Sequence, residues 1–228
     1  MSSKLKAIIF GIDDVLYDAT LQSSSARLSA VKAMIEAGLP VDVETGYRTL
    51  EEIVKTVGPD NTKHFDMLLE KLGLNWTPSV VAAGVVAYRS TSPVFLKPYP
   101  DTVPTLLTLR DQRYKLGVAS EGKSVKQWQK LLSLGLQHLF DSVVTSEDLK
   151  LEHLTETVLK RELDELGAQP PNTLFVTVNL DKIDIANRAG LITVRLRKGE
   201  AKLEKPKGSQ PRYEIKTLSE ILQILAKL

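Results

Sequence analysis

The sequence has no cysteine among its 228 residues. Disulfide bonds, thiolate nucleophiles and cysteine-ligated zinc are therefore excluded. It also has no long hydrophobic run, and the apolar stretch Ala7–Phe10 is too short for a signal peptide or a membrane span. An excess of charge is absent as well, since 30 basic and 28 acidic residues leave a formal net charge of +2. These absences predict a cytoplasmic protein without membrane contact, and they give no argument for nucleic acid binding.

The residues that are present follow a regular order of helices and strands. Between residues 28 and 88, apolar residues recur at helical spacing in four successive stripes, and glycine or proline ends the first three. From Pro93 onward, strand-length apolar runs alternate with helical stripes. This alternation predicts an α/β protein with a doubly wound, Rossmann-like parallel sheet. We assign residues 1–15 and 93–228 to this core domain and residues 16–92 to an inserted four-helix cap domain.

The first predicted strand ends in a polar turn where a site is expected. Ala7–Phe10 is a β-branched and aromatic run, and Gly11, Asp13 and Asp14 follow it closely. The carboxyl ends of parallel strands carry the sites of such folds. Side chains two residues apart on an extended chain face the same way, so Gly11 and Asp13 form the relevant pair and Asp14 points elsewhere.

This stretch resembles the first motif of the haloacid dehalogenase-like (HAD) hydrolases, an apolar strand followed by Asp-x-Asp-x-Val-Leu. The resemblance covers nearly the whole chain and is to archaeal members whose helical cap follows the first motif. It implies an aspartate nucleophile, an aspartate acid/base, Mg²⁺ and donors for the phosphoryl oxygens. The position of the nucleophile falls on Gly11, and that of the acid/base falls on Asp13.

The second and third motifs of the family are only partly present. A serine or threonine after an apolar strand binds the phosphoryl group in the family, and Ser120 with Gly122 fits that anion-binding role. Glu121 between them places a negative charge near the phosphate unless its side chain turns outward. The lysine of the third motif falls on His153, and a neutral histidine stabilises an oxyanion far less than a lysine does.

The fourth motif has lost its metal-binding residues. In the family a Gly-Asp pair and a second acid anchor Mg²⁺, but here the pair is Thr177 and Val178. Asp181 and Asp184 flank the place of the second acid without its spacing. Because Gly11 and Val178 remove two carboxylates of a hard-cation site, the sequence predicts no metal and no cofactor. Mg²⁺ is expected only if the chain is an active hydrolase of the family.

The losses at four motif positions favour a catalytically inactive pseudoenzyme that acts as a binding or regulatory partner of another protein. In that interpretation Asp13 and Ser120 are vestigial, and the degenerate positions are Gly11, His153, Thr177 and Val178. The alternative is a Mg²⁺-dependent phosphatase or other hydrolase of the family, with Asp13 or Asp14 moved into the role of nucleophile.

A basic segment between residues 195 and 216 gives a third, weaker hypothesis. It is predicted to be a long exposed loop that contacts RNA or an acidic protein, although a solvated connection has the same composition. The sequence leaves open the identity of the partner. Its candidate partner-binding residues are Arg197, Lys198, Lys202, Lys205 and Lys207.

Overall fold

A computed structural model describes residues 5–205 and 208–227 of the chain. The chain forms two compact units, which divide after Thr20 and after Phe95. The domain boundaries predicted after residues 15 and 92 remain a prediction. Within the described residues, no helix is both long enough and apolar enough to cross a membrane. The cytoplasmic location also remains a prediction.

The first unit contains a six-stranded parallel sheet in the order β3-β2-β1-β4-β5-β6. Strands β2 and β3 are added on one side of β1, and strands β4 to β6 are added on the other side. The first strand in sequence therefore lies in the middle of the sheet, next to the point where the strand order reverses. The predicted α/β class with a doubly wound sheet is confirmed. The strands are β1 (Ala7–Phe10), β2 (Lys115–Ser120), β3 (Ser142–Thr145), β4 (Thr173–Thr177), β5 (Ile192–Leu196) and β6 (Tyr213–Ile215).

Successive side chains of β1 point to opposite faces of the sheet, and apolar side chains cover both faces. Ile8 and Phe10 belong to one buried cluster, and Ala7 and Ile9 belong to another. All four side chains are fully buried, as expected for a central strand of a parallel sheet. The helices of this unit that follow the insert are α5 (Thr102–Asp111), α6 (Ser124–Ser133), α7 (Glu156–Leu166), α8 (Leu180–Arg188) and α9 (Ile221–Leu225).

A carboxylic acid lies inside the core where α7 crosses β2. Glu162 is fully buried, and its Oε2 accepts a hydrogen bond from Ser142 Oγ at 2.9 Å. It fits because the facing residue is Gly117, where an added Cβ would lie 1.9 Å from Glu162 Oε1. Burial raises the pKa of Glu162 to about 8, and the hydrogen bond from Ser142 offsets only part of that increase.

The inserted unit has its own apolar core, formed by the predicted helices. Asp42 caps the second helix by accepting a hydrogen bond from the Thr45 N–H at 2.8 Å. The fourth helix begins at Pro78, where the missing N–H of proline is not needed. The helices are α1 (Ala19–Glu36), α2 (Val43–Val57), α3 (His64–Lys71) and α4 (Pro78–Phe95), and α1 begins in the first unit.

Candidate active site

Asp13 is the accessible carboxylate at the end of β1. The Gly11 N–H donates to Val176 O at 2.9 Å, which continues the pairing of β1 with β4 to the start of the turn. Beyond it, the Asp13 carboxylate accepts hydrogen bonds from Tyr17 Oη at 2.8 Å and from Lys130 Nζ at 2.8 and 2.7 Å. The Asp13 side chain is 49% exposed, so a substrate can reach it.

Asp14 has a structural role in the same turn. Its backbone is left-handed, with φ 57°, a conformation that aspartate tolerates better than most residues. The two carboxylate oxygens accept from Thr20 N at 2.9 Å and Thr20 Oγ1 at 2.8 Å. Gly199 packs so closely that an added Cβ would lie 2.3 Å from Asp14 Oδ2. Burial raises the pKa of Asp14 although both bonds from Thr20 oppose that shift. Of the two candidate carboxylates, only Asp13 is open to a substrate.

Ser120 lies at the end of β2, as the anion-binding prediction requires. The residue is 7% exposed, so its hydroxyl lies almost entirely within the fold. The N–H of Gly122 is already in use, because it donates to Ser146 Oγ at 3.0 Å. The predicted anion-binding role of Ser120 and Gly122 remains a prediction, and Ser120 is the better placed of the two.

The Glu121 side chain is engaged by residues of the third motif. Its carboxylate accepts from the Leu154 N–H at 3.0 Å, and it lies 3.3 Å from His153 Nδ1 and 3.8 Å from Lys182 Nζ. Burial opposes ionisation, but the Leu154 N–H, Lys182 and His153 outweigh it and lower the pKa of Glu121. The degenerate third-motif position therefore contacts the second-motif turn through His153 and Glu121.

The first and fourth motif positions also lie side by side. Thr177 is buried at the end of β4, and an added Cβ at Gly11 would lie 3.8 Å from its Oγ1. Val178, which follows, packs against the core cluster on one face of the sheet. Asp184 lies further along and is bound by Ser209 and Arg188. The fold thus assembles all four degenerate positions at the carboxyl edge of the sheet.

The residues at this edge do not fit Mg²⁺. Gly11 has no side chain, Val178 has no ligand atom, and both oxygens of Asp13 are paired with Lys130. In the described parts of the chain, no three carboxylate or histidine side chains come together as a metal site. Mg²⁺ requires near-octahedral oxygen coordination, which one ion-paired carboxylate does not provide.

Sequence reasoning missed Lys130 and Gln127, both on α6. Gln127 is 5% exposed; its Nε2 donates to Glu121 O at 2.9 Å, and its Oε1 accepts from Lys130 Nζ at 3.3 Å. The two side chains are three residues apart and therefore share a helix face. That spacing, just after the predicted anion-binding turn, is the only sequence signal for them.

The basic segment after β5 is partly built into the fold. Arg195, the first residue of the segment, lies in β5 and is buried; its Nη1 is 3.1 Å from Glu214 Oε1 and its Nη2 donates to Glu204 O at 2.8 Å. Glu214 lies in β6, a strand that the sequence analysis did not assign. Pairing of β6 with β5 holds both ends of the segment in the sheet. The described residues between these ends include the exposed Lys202 and Lys205.

The five candidate partner-binding residues divide into three groups. Arg197 donates to Lys202 O at 3.2 Å, and the Lys198 ammonium lies 3.5 Å from the centre of the Tyr99 ring, a cation–π contact. Lys202 and Lys205 are exposed. The fifth, Lys207, is outside the described residues. A protein partner, or an RNA, at this segment remains a prediction.

The sequence profile of the haloacid dehalogenase-like hydrolases matches residues 8–196. The chain belongs to this family. It is 42% identical to a glyceraldehyde 3-phosphate phosphatase of Methanopyrus kandleri, over 98% of each chain. It is 37% identical to one of Methanocaldococcus jannaschii, also over 98% of each. A HAD phosphatase structure from Thermococcus onnurineus superposes with a TM-score of 0.67 at 25% identity, covering 97% of this chain and 98% of the other.

These relatives overturn the hypothesis of a catalytically inactive pseudoenzyme. Proteins that match almost the whole chain at 42%, 37% and 32% identity carry the name of a phosphatase. That hypothesis was based on the missing motif side chains, and it assumed that a chain without the aspartate nucleophile cannot catalyse the reaction. It overlooked what the edge of the sheet retains, which is an accessible carboxylate at Asp13, a cation at Lys130 and a buried hydroxyl at Ser120.

Proposed function

We propose that this chain is a phosphatase that hydrolyses a small phosphomonoester of the glyceraldehyde 3-phosphate type. The relatives named above support the substrate class, since their similarity extends over almost the whole chain. The observation that carries the proposal is the accessible Asp13 carboxylate, which is held beside Lys130 at the carboxyl edge of the sheet. The Ser120 hydroxyl lies at the end of the neighbouring strand β2 and would supply a donor for a phosphoryl oxygen.

Water is the nucleophile in this proposal, because Gly11 has no side chain with which to attack phosphorus. The water oxygen bonds to phosphorus as Asp13 accepts one of its protons, and the ester P–O bond breaks. Asp13 then gives that proton to the leaving oxygen, so that an alcohol and inorganic phosphate form and the carboxylate is regenerated. No aspartyl phosphate intermediate and no metal-dependent step is included, since the residues do not fit Mg²⁺.

Tyr17 and Lys130 hold the Asp13 carboxylate in position. The Tyr17 hydroxyl fixes one oxygen, and the Lys130 ammonium contacts both. Such fixed donors reduce the reorganisation that the carboxylate needs during proton transfer. Asp14, bound by Thr20, shapes the turn without taking part in the reaction.

The test is release of inorganic phosphate from glyceraldehyde 3-phosphate by the wild-type chain and by Asp13→Asn. We expect the substitution to lower kcat by about 10²- to 10⁴-fold, the usual contribution of a general acid/base. Asp164→Asn, on the exposed side of α7, is the matched control and should turn over normally. Equal turnover by the wild type and Asp13→Asn would reject the proposal.

A further inference from the structure

Lys130 places a fixed positive charge at the candidate active site. Its Nζ donates to the two Asp13 oxygens at 2.8 and 2.7 Å and to Gln127 Oε1 at 3.3 Å. These contacts hold the ammonium group next to the Asp13 carboxylate. The Lys130 side chain is only 25% exposed. The protein therefore sets the position of this charge, although Asp13 and Lys130 are 117 residues apart in sequence.

Gln127 connects this charge to the second strand of the site. It is almost completely buried, and its Nε2 donates to Glu121 O at 2.9 Å. Glu121 directly follows Ser120, whose hydroxyl is the expected phosphate donor. A chain of hydrogen bonds thus runs from Asp13 after β1, through Lys130 and Gln127, to the turn after β2. The cation and the expected phosphate donor belong to one connected network.

The family resemblance predicts a divalent cation next to Asp13, and the structure has an ammonium group there. Two of the positions that would complete a metal site are Gly11 and Val178, which offer no ligand. For Mg²⁺ to bind Asp13, it would have to displace Lys130 from both carboxylate oxygens. A lysine is also a well-known partner of phosphate, acting as a point charge.

We propose that Lys130 is the cation of this site, so that the site binds a phosphoryl group without a divalent metal ion. Asp13 and Gln127 act as the residues that position it. This inference rests on the proposed function, because it takes the phosphoryl group as the ligand, and it adds to that function the source of the positive charge.

The test is isothermal titration calorimetry with inorganic phosphate, in EDTA and again in millimolar Mg²⁺. We expect the wild type to bind phosphate with the same Kd in both buffers. Lys130→Met, which keeps an unbranched side chain of similar length, should weaken binding by about 10- to 100-fold, the range for a lost hydrogen bond to a charged group. Lys130→Arg, which retains the charge, should recover part of the loss.

The control is Lys115→Met, which removes an ion pair with Asp141 at the opposite edge of the sheet and should leave phosphate binding unchanged. The wild-type comparison does not depend on how well any variant folds. A requirement for Mg²⁺ in phosphate binding, or unchanged binding by a folded Lys130→Met, would overturn the inference, whereas phosphate release that is lost in Asp13→Asn would still support phosphatase activity at this site. Phosphate binding in EDTA without turnover of any phosphoester would instead reject the proposed function and support the role of Lys130.

Discussion

Replacing Glu162 by glutamine should flatten the dependence of protein stability on pH. The side chain is fully buried, and its pKa is raised from 4.5 to about 8 in the folded protein. Below pH 4.5 the carboxyl is protonated in both the folded and the unfolded states, and the full stability is present. Between the two pKa values the unfolded state ionises and the folded state does not, so the free energy of unfolding decreases as pH rises.

The expected size follows from the linkage relation. One group contributes about 1.4 kcal/mol for each pH unit between its two pKa values. Across the interval from the ordinary pKa of 4.5 to the folded value near 8, Glu162 alone should remove roughly 3 to 5 kcal/mol of stability. Glutamine keeps an oxygen that can accept the hydrogen bond from Ser142 and cannot ionise in this range.

The assay is urea denaturation at pH values from 5 to 8, read by circular dichroism. The decisive quantity is the difference between the pH profiles of wild type and Glu162→Gln, because any packing change shifts the Glu162→Gln profile uniformly. Asp164→Asn, on the exposed side of the same helix, is the control and should retain the profile of the wild type. Parallel profiles for wild type and Glu162→Gln would refute the reasoning.

Three further predictions follow from the glycines and from the basic segment. Gly117→Ala should reduce the free energy of unfolding by about 1–3 kcal/mol, because the added methyl group would overlap Glu162. An unchanged midpoint of urea denaturation would contradict this close contact between Gly117 and Glu162. Gly11→Asp combined with Val178→Asp should create a Mg²⁺ site, so that millimolar Mg²⁺ raises the Tm of this double variant and leaves the wild type unchanged. Equal Tm shifts in the wild type and the double variant would contradict the conclusion that the wild-type residues do not bind Mg²⁺. The double variant Lys202→Glu and Lys205→Glu should release phosphate at a rate within about twofold of wild type, since both residues are exposed. A tenfold lower rate would show that the basic segment contributes to phosphate release.

Much of the fold follows from local patterns in the sequence. The short apolar run of β1 is fully buried, as a central parallel strand requires, and the capping box at Thr217 and Glu220 forms between residues three apart in sequence. The site at the turn after β1 was also predictable, because a strand followed by Gly11 and Asp13 marks a carboxyl edge. These features depend on neighbours in sequence, which periodicity and spacing detect.

What escaped prediction depends on contacts between distant residues. Nothing in the local sequence pattern indicates that Lys130 on α6 contacts Asp13, or that Arg195 in β5 is paired with Glu214 in β6. Glu162 is an intermediate case, since it falls on the apolar stripe of α7 between Leu159 and Leu163. Its position on that stripe follows from the helical spacing, whereas the room for it at Gly117 depends on a contact between residues far apart in sequence.

The close packing of Gly199 on Asp14 joins two parts of the molecule that the sequence keeps far apart. Gly199 belongs to the lysine-rich stretch after β5, and Asp14 belongs to the turn that carries Asp13. A side chain at Gly199 has no room against the Asp14 carboxylate, so any larger residue there would have to displace Asp14. A change in the stretch after β5 could thus alter the backbone that presents Asp13, although the two positions are far apart in sequence.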